Sequence, residues 1–128
     1  MLAKQLQAEL QLATASGWTN VVDVGDSLIG TPPGGADNSR GQARVPAWCR
    51  DWRACGPLLS CLDLSIDVAT EDTGFVVINI GSGLDDYVQV AVADWESKDD
   101  ALRYAVTIGA YAKLIAVQPR RLLKENAA

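Results

Sequence analysis

The 128-residue chain contains no histidine. That absence removes the commonest general base, the Ser-His and Cys-His nucleophile pairs and the imidazole ligands of catalytic zinc. Its three cysteines, Cys49, Cys55 and Cys61, are odd in number and spaced six apart. This pattern matches neither the CxxC spacing of zinc ribbons nor a paired disulfide framework. Neither a metal nor a cofactor is therefore expected, and the thiols read as small buried hydrophobes. No run of about eighteen apolar residues is present to cross a membrane. The opening Met1-Leu2-Ala3-Lys4-Gln5 has neither the basic nor the continuous apolar region of a secretory signal, which makes a cytoplasmic location the expectation. Gly81-Ser82-Gly83 follows a predicted strand, yet no Walker lysine comes after it, so a phosphate cradle is not expected.

What the chain does carry is an uneven distribution of charge. The formal net charge is −5, but residues 63–100 hold ten acids and a single base, Lys98. Arg40, Arg44, Arg50 and Arg53 lie instead in a stretch whose one acid is Asp51. A layout of this kind argues against direct binding to nucleic acid or to an anionic membrane, either of which needs a dominant basic surface.

A chain of this length buries roughly two thirds of its unfolded surface and needs no staples. The pattern predicts one α+β domain over residues 1–118 and a C-terminal tail over 119–128. Leu2, Leu6, Leu10 and Ala13 recur at helical spacing, Gly17 supplies a left-handed stop, and Trp18 is placed to fold back on the helix. Residues 19–47 form a long Gly/Pro-rich loop, mostly irregular, to which 21–24 and 28–29 could add short edge strands. A loop so long is uncommon unless functional, which makes it a candidate binding surface with a flexible tip at 34–41.

The most distinctive stretch is VPAWCRDWRACGPLL, residues 45–59. Asp51 is a natural N-cap for a helix from Trp52 to about Leu62 that gathers Trp52, Cys55, Leu58, Leu59 and Leu62 on one face. Pro57 removes one backbone hydrogen bond, so this helix either kinks there or begins there. Three antiparallel strands are predicted at 64–69, 75–80 and 87–93, with Val88, Val90 and Val92 sharing a face. Ser97 and Asp100 resemble a capping box for a last helix over 98–117, ended by Pro119. Apolar positions nearly encircle this helix, so the sheet and something else should bury it. Its Ala101, Ala105, Gly109, Ala110 and Ala112 would admit a close neighbouring helix from this chain or from a second copy, and a homo-oligomer through 98–117 is one expected partner arrangement. The order is thus α-loop-α-β-β-β-α, an α+β fold with a sheet of three strands or more packed with helices.

In that order of parts the chain resembles the phage ABA sandwich domain family. The resemblance rests on the helix ending in Gly17-Trp18, the Pro-rich loop, residues 45–59, and the final helix opening Ser97-Lys98-Asp99-Asp100-Ala101-Leu102. Gly56-Pro57 departs from the family pattern. The resemblance implies a bacteriophage or prophage origin and a sheet covered by helices, with no catalytic residues to carry over.

Three binding readings follow. In the first, a non-enzymatic phage accessory protein binds a host protein or small ligand, inhibiting host defence, through Trp48, Arg50, Trp52 and Arg53 together with Arg40 and Arg44; tryptophan and arginine are strong contact anchors. The alternative for Trp48 and Trp52 is that they pin the loop to the core. In the second, the acidic residues Asp67, Glu71, Asp72, Asp85 and Asp86 form a face that mimics nucleic acid in a basic groove. In the third, residues 40–53 and the glycine loop capture a nucleotide-like signal. Catalysis is not expected, because the acid pairs Asp85-Asp86 and Asp99-Asp100 fall at a turn and a helix start, where acids have structural reasons to be.

Overall fold

The computed structural model describes residues 2–34, 41–69, 74–81 and 86–127. Helix α1 (Leu2–Ala15) leads into an antiparallel sheet of β1 (Thr19–Asp23), β2 (Leu28–Thr31) and β3 (Ala43–Arg44). Helix α2 (Trp52–Cys61) then connects to a second antiparallel sheet, in which β5 (Phe75–Asn79) lies between β4 (Ser65–Ala69) and β6 (Tyr87–Ala91). A 3-10 turn at Val92–Asp94 precedes helix α3 (Lys98–Ala127). The expected α+β class and the second sheet are as the sequence predicts.

The first sheet corrects the reading of residues 19–47 as mostly irregular. Alternation is hidden in β1 because the register shifts between Thr19 and Val22, where Asn20 takes a left-handed φ of 55°. Gly30 is needed in β2 for close approach: a β-carbon there would lie 2.9 Å from Val21 Cγ2 and 3.0 Å from the Thr19 carbonyl oxygen. The turn between β1 and β2 is closed by the Gly25 N–H donating to Asp23 Oδ1 at 2.8 Å. The tip at 35–40 lies outside the described residues.

Helix α1 ends as expected. Gly17, at φ 101°, lets the Trp18 N–H reach the Ala13 carbonyl at 3.0 Å and its own N–H reach that of Thr14 at 3.2 Å, the paired bonds of a Schellman cap. The buried face of α1 is not the expected leucine stripe, however. Gln5, Leu6, Ala8, Glu9, Leu12 and Ala13 are buried, while Leu2 and Leu10 stand on the exposed side. The helix is turned by the burial of Glu9, whose partners are described below.

Asp51 caps α2, its side chain accepting from the Arg53 N–H at 2.9 Å. The helix starts at Trp52 and continues through Pro57, which is exposed. Cys55 is fully buried, with Trp52, Leu58, Leu59 and Leu62 packed against the core beside it.

Helix α3 packs on α1, α2, β5 and β6, which answers what covers its encircling apolar surface. Ala101, Ala105, Val106 and Ala110 have no exposed surface, so these small residues serve close packing inside this chain. At Gly109 the helix touches the sheet: a β-carbon there would lie 3.0 Å from Ile78 Cγ2 and 3.4 Å from Val88 Cγ2. Asp100 donates its N–H to Ser97 Oγ at 3.1 Å, and the Ser97 hydroxyl donates to Asp100 Oδ2 at 3.0 Å. The helix does not stop at Pro119, in contrast to the expected boundary, but runs on to Ala127 without the hydrogen bond that proline cannot donate.

The contact at Gly109 generates a test. Gly109→Val is expected to lower the free energy of unfolding by about 1–3 kcal/mol through overpacking against Ile78 and Val88, read from urea titrations followed by circular dichroism. Unchanged or raised stability would mean that α3 and the sheet are not packed this closely.

Candidate functional site

Residues 45–59 form a junction between the first sheet and α2. The Val45 N–H donates to the Leu28 carbonyl at 2.9 Å, extending the pairing of β3 with β2. The chain then makes one tight turn, with the N–H groups of Arg50 and Asp51 both on the Ala47 carbonyl at 3.0 and 2.9 Å. This turn aims the Cys49 N–H and the Arg50 side chain at α1, where Glu9 waits with 1% of its side chain exposed. Glu9 Oε2 accepts from the Cys49 N–H at 3.0 Å and from Arg50 Nε at 3.3 Å, while Oε1 accepts from Arg50 Nη2 at 2.9 Å. Arg50 Nη1 also donates to the Asp26 carbonyl at 2.6 Å, tying in the turn between β1 and β2.

A second arginine holds the same turn from α3. Arg103 Nε donates to the Cys49 carbonyl at 3.1 Å, Nη2 to Asp100 Oδ1 at 2.7 Å, and the guanidinium lies 5.6 Å from the Trp52 ring centroid. Glu9 and Arg103 carry this arrangement, and neither was among the expected site residues. Glu9 left one signal in the sequence: it is the sole acid before Asp23, set three residues from both Leu6 and Leu12 on the inward side of its helix.

The structure thus redistributes the expected partner-binding set. Trp48 is buried, with 7% exposed, so it pins the loop to the core and is no surface anchor. Trp52 is half-buried beneath Arg103, and Arg50 is committed to Glu9 and Asp26. Arg44 and Arg53 are exposed. Of the acidic set, Asp67 and Asp86 are exposed. Arg40, Glu71, Asp72 and Asp85 lie outside the described residues.

The thiols follow the expectation in part. Cys49 and Cys55 are fully buried, whereas Cys61 is exposed, correcting its reading as a core residue. Burial pushes the Cys49 thiol up to about 12 from 9.0, against the hydrogen bond with Thr107, with the Glu9 charge adding to the rise. Burial raises Cys55 to about 12 as well, and the Arg103 charge opposes it. Both are held as neutral thiols, unsuited to nucleophilic work. Among the described residues no group of three or more His, Cys, Asp or Glu is placed to hold a metal ion, and no helix is long and apolar enough to cross a membrane.

Concave surface occurs elsewhere, on both flanks of Leu10. One open groove of about 410 Å³ between α1 and α3 is lined by Leu10, Gln11, Thr14, Ala15, Tyr111 and Ile115. The other, of about 390 Å³, lies toward the first sheet and is lined in part by Gln7, Leu10, Val21 and Asp23. Leu10 is 39% exposed, and Lys4 is the one charged residue among the exposed positions of α1. Trp48, Arg50, Trp52 and Arg53 line neither groove.

Comparison with known proteins found no matching family model, no matching curated protein and no matching solved structure.

The thiol environments set an expectation. Iodoacetamide at about pH 8 should alkylate Cys61 in the native protein, with Cys49 and Cys55 modified only on unfolding, as read by peptide mass. Because the folded-state pKa of both buried thiols is raised, the unfolded chain releases their protons first, and stability should fall as pH rises from about 9 toward 12. Equal labelling of all three native thiols, or stability flat across that window, would contradict the assigned burial.

Proposed function

We propose that this chain is a non-enzymatic bacteriophage or prophage accessory protein that acts by binding a host protein or small ligand in the bacterial cytoplasm, with inhibition of host defence as the role it serves. The phage origin rests on the family resemblance. The binding reading rests chiefly on one observation: α1 presents an almost uncharged outer side centred on the exposed Leu10, between two open grooves. Depletion of charge around a partly exposed apolar side chain characterises the core of a protein interface. The site moves accordingly from the Trp48 to Arg53 segment, whose side chains largely hold the fold, to the outer side of α1. Arg44 and Arg53 remain as exposed cations that add electrostatic steering to an encounter.

Tagged protein expressed in a bacterial host provides the test. The wild type is expected to co-purify a partner that Leu10→Glu loses by about tenfold or more, with Tm changed by no more than about 2 °C. Equal recovery of every partner by both proteins would contradict the assignment to α1.

A further inference from the structure

Strand β1 is an edge. It pairs with β2 and, among the described residues, with no other strand. The Val24 N–H donates to the Ser27 carbonyl at 3.0 Å, which closes the hairpin and makes Asp23 and Leu28 the next pair, one without mutual hydrogen bonds. Main-chain groups at such a pair point away from each other. Those of Leu28 turn to β3, where its carbonyl accepts the Val45 N–H at 2.9 Å, and those of Asp23 turn outward. Val21 lies two residues back in the same phase, its side chain beside Gly30 on the face that Leu28 shares. The edge thus shows the N–H and C=O of both residues, and β1 contains neither lysine nor proline, the usual guards of such an edge.

That edge borders one of the grooves beside Leu10. The buried Leu6 and Leu28 form its floor, Ala3 and Leu10 stand on the α1 side, and Val21 and Asp23 on the β1 side. From Ala3 to Leu10 an α-helix advances about 10 Å, the length of about three residues of strand. The edge is held at both ends: the Gly17-Trp18 cap fixes its entry, and Arg50 Nη1 grips the Asp26 carbonyl in the turn that follows. An occupant of such a place brings unpaired N–H and C=O groups together with apolar side chains. A helix spends its main-chain groups internally, so the matching occupant is an extended chain.

We propose that an extended segment of a partner protein adds to β1 as a further strand of the first sheet, with alternate apolar side chains laid in the groove against Leu6, Leu10 and Leu28. The proposal rests on the reading that the outer side of α1 is the binding site, and it names the form of the partner there. Main-chain bonds supply affinity, and the groove selects an apolar residue at every second position.

The test uses capped Thr-Val-Thr-Val-Thr-Val and two isomers, one N-methylated at the valines and one at the threonines, titrated into the full 15N-labelled chain. In an added strand the N–H groups of alternate residues face β1 and the others face solvent. The parent peptide is expected to shift amides at 3–10 and 19–23, with one isomer about tenfold weaker and the other within about twofold of the parent. Ala3→Trp, at an exposed position, fills the groove and should weaken the parent by about tenfold or more. Equal binding of the two isomers, an absence of shifts at 19–23, or unchanged affinity in Ala3→Trp would each overturn the proposal. So would concentration-dependent shifts at 19–23 without peptide, which would give the edge to a second copy of the chain. Partner loss in Leu10→Glu beside equal binding of the isomers would leave the α1 assignment standing, so the two readings fail separately.

Discussion

The constraint on which the rest of this structure depends is the burial of one carboxylate. Glu9 has 1% of its side chain exposed and is met by the Cys49 N–H and two nitrogens of Arg50. An ionised carboxylate removed from water is costly by several kcal/mol unless paired and hydrogen-bonded. That requirement fixes the rotation of α1 about its axis, since the side bearing Glu9 must face the turn at residues 47–51. It also fixes the turn, because only a backbone N–H and a guanidinium aimed the same way satisfy both oxygens. Arg50 reaches on to Asp26 and Arg103 grips the Cys49 carbonyl, so α1, the first sheet, α2 and α3 all meet at one point.

The same constraint sets what the surface offers. With Glu9 turned inward, Leu10 is carried to the outside between two grooves, and α1 shows solvent a side with little charge. The tryptophans and arginines of residues 45–59, conspicuous in the sequence, are mostly drawn inward to hold the junction. Charge segregation along the chain becomes segregation by element: the exposed cations Arg44 and Arg53 sit on β3 and α2, and the strands of the second sheet carry one charged residue, Asp67.

Much of the fold was legible because local chemistry and tertiary structure agree. Gly17-Trp18, Asp51 and Ser97 announce helix ends that form through the expected hydrogen bonds. The inward Val88 and Val90 of β6 follow from simple alternation. The first sheet was legible only as short edge strands at 21–24 and 28–29, because a bulge in β1 breaks that alternation and β3 is two residues long. The inward face of α1 was misread because hydrophobic periodicity counts Leu2 and Leu10 as core and an acid as surface. Only the partner forty residues away in sequence, at Cys49, reverses that assignment. Trp48 and Arg50 were misplaced for the related reason that composition identifies strong contact groups without saying whether the contacts lie inside or outside the molecule.

The most direct measurement of the Glu9 clamp is a double-mutant cycle on urea unfolding with Glu9→Leu, Arg50→Met and the double variant. Arg50→Met leaves a buried carboxylate without its cation and is expected to lower stability by about 3 kcal/mol, whereas the double variant should recover much of that loss, giving a coupling above about 1.5 kcal/mol. Effects that simply add, within about 0.5 kcal/mol, would show that the two residues are independent and that the orientation of α1 rests on something else.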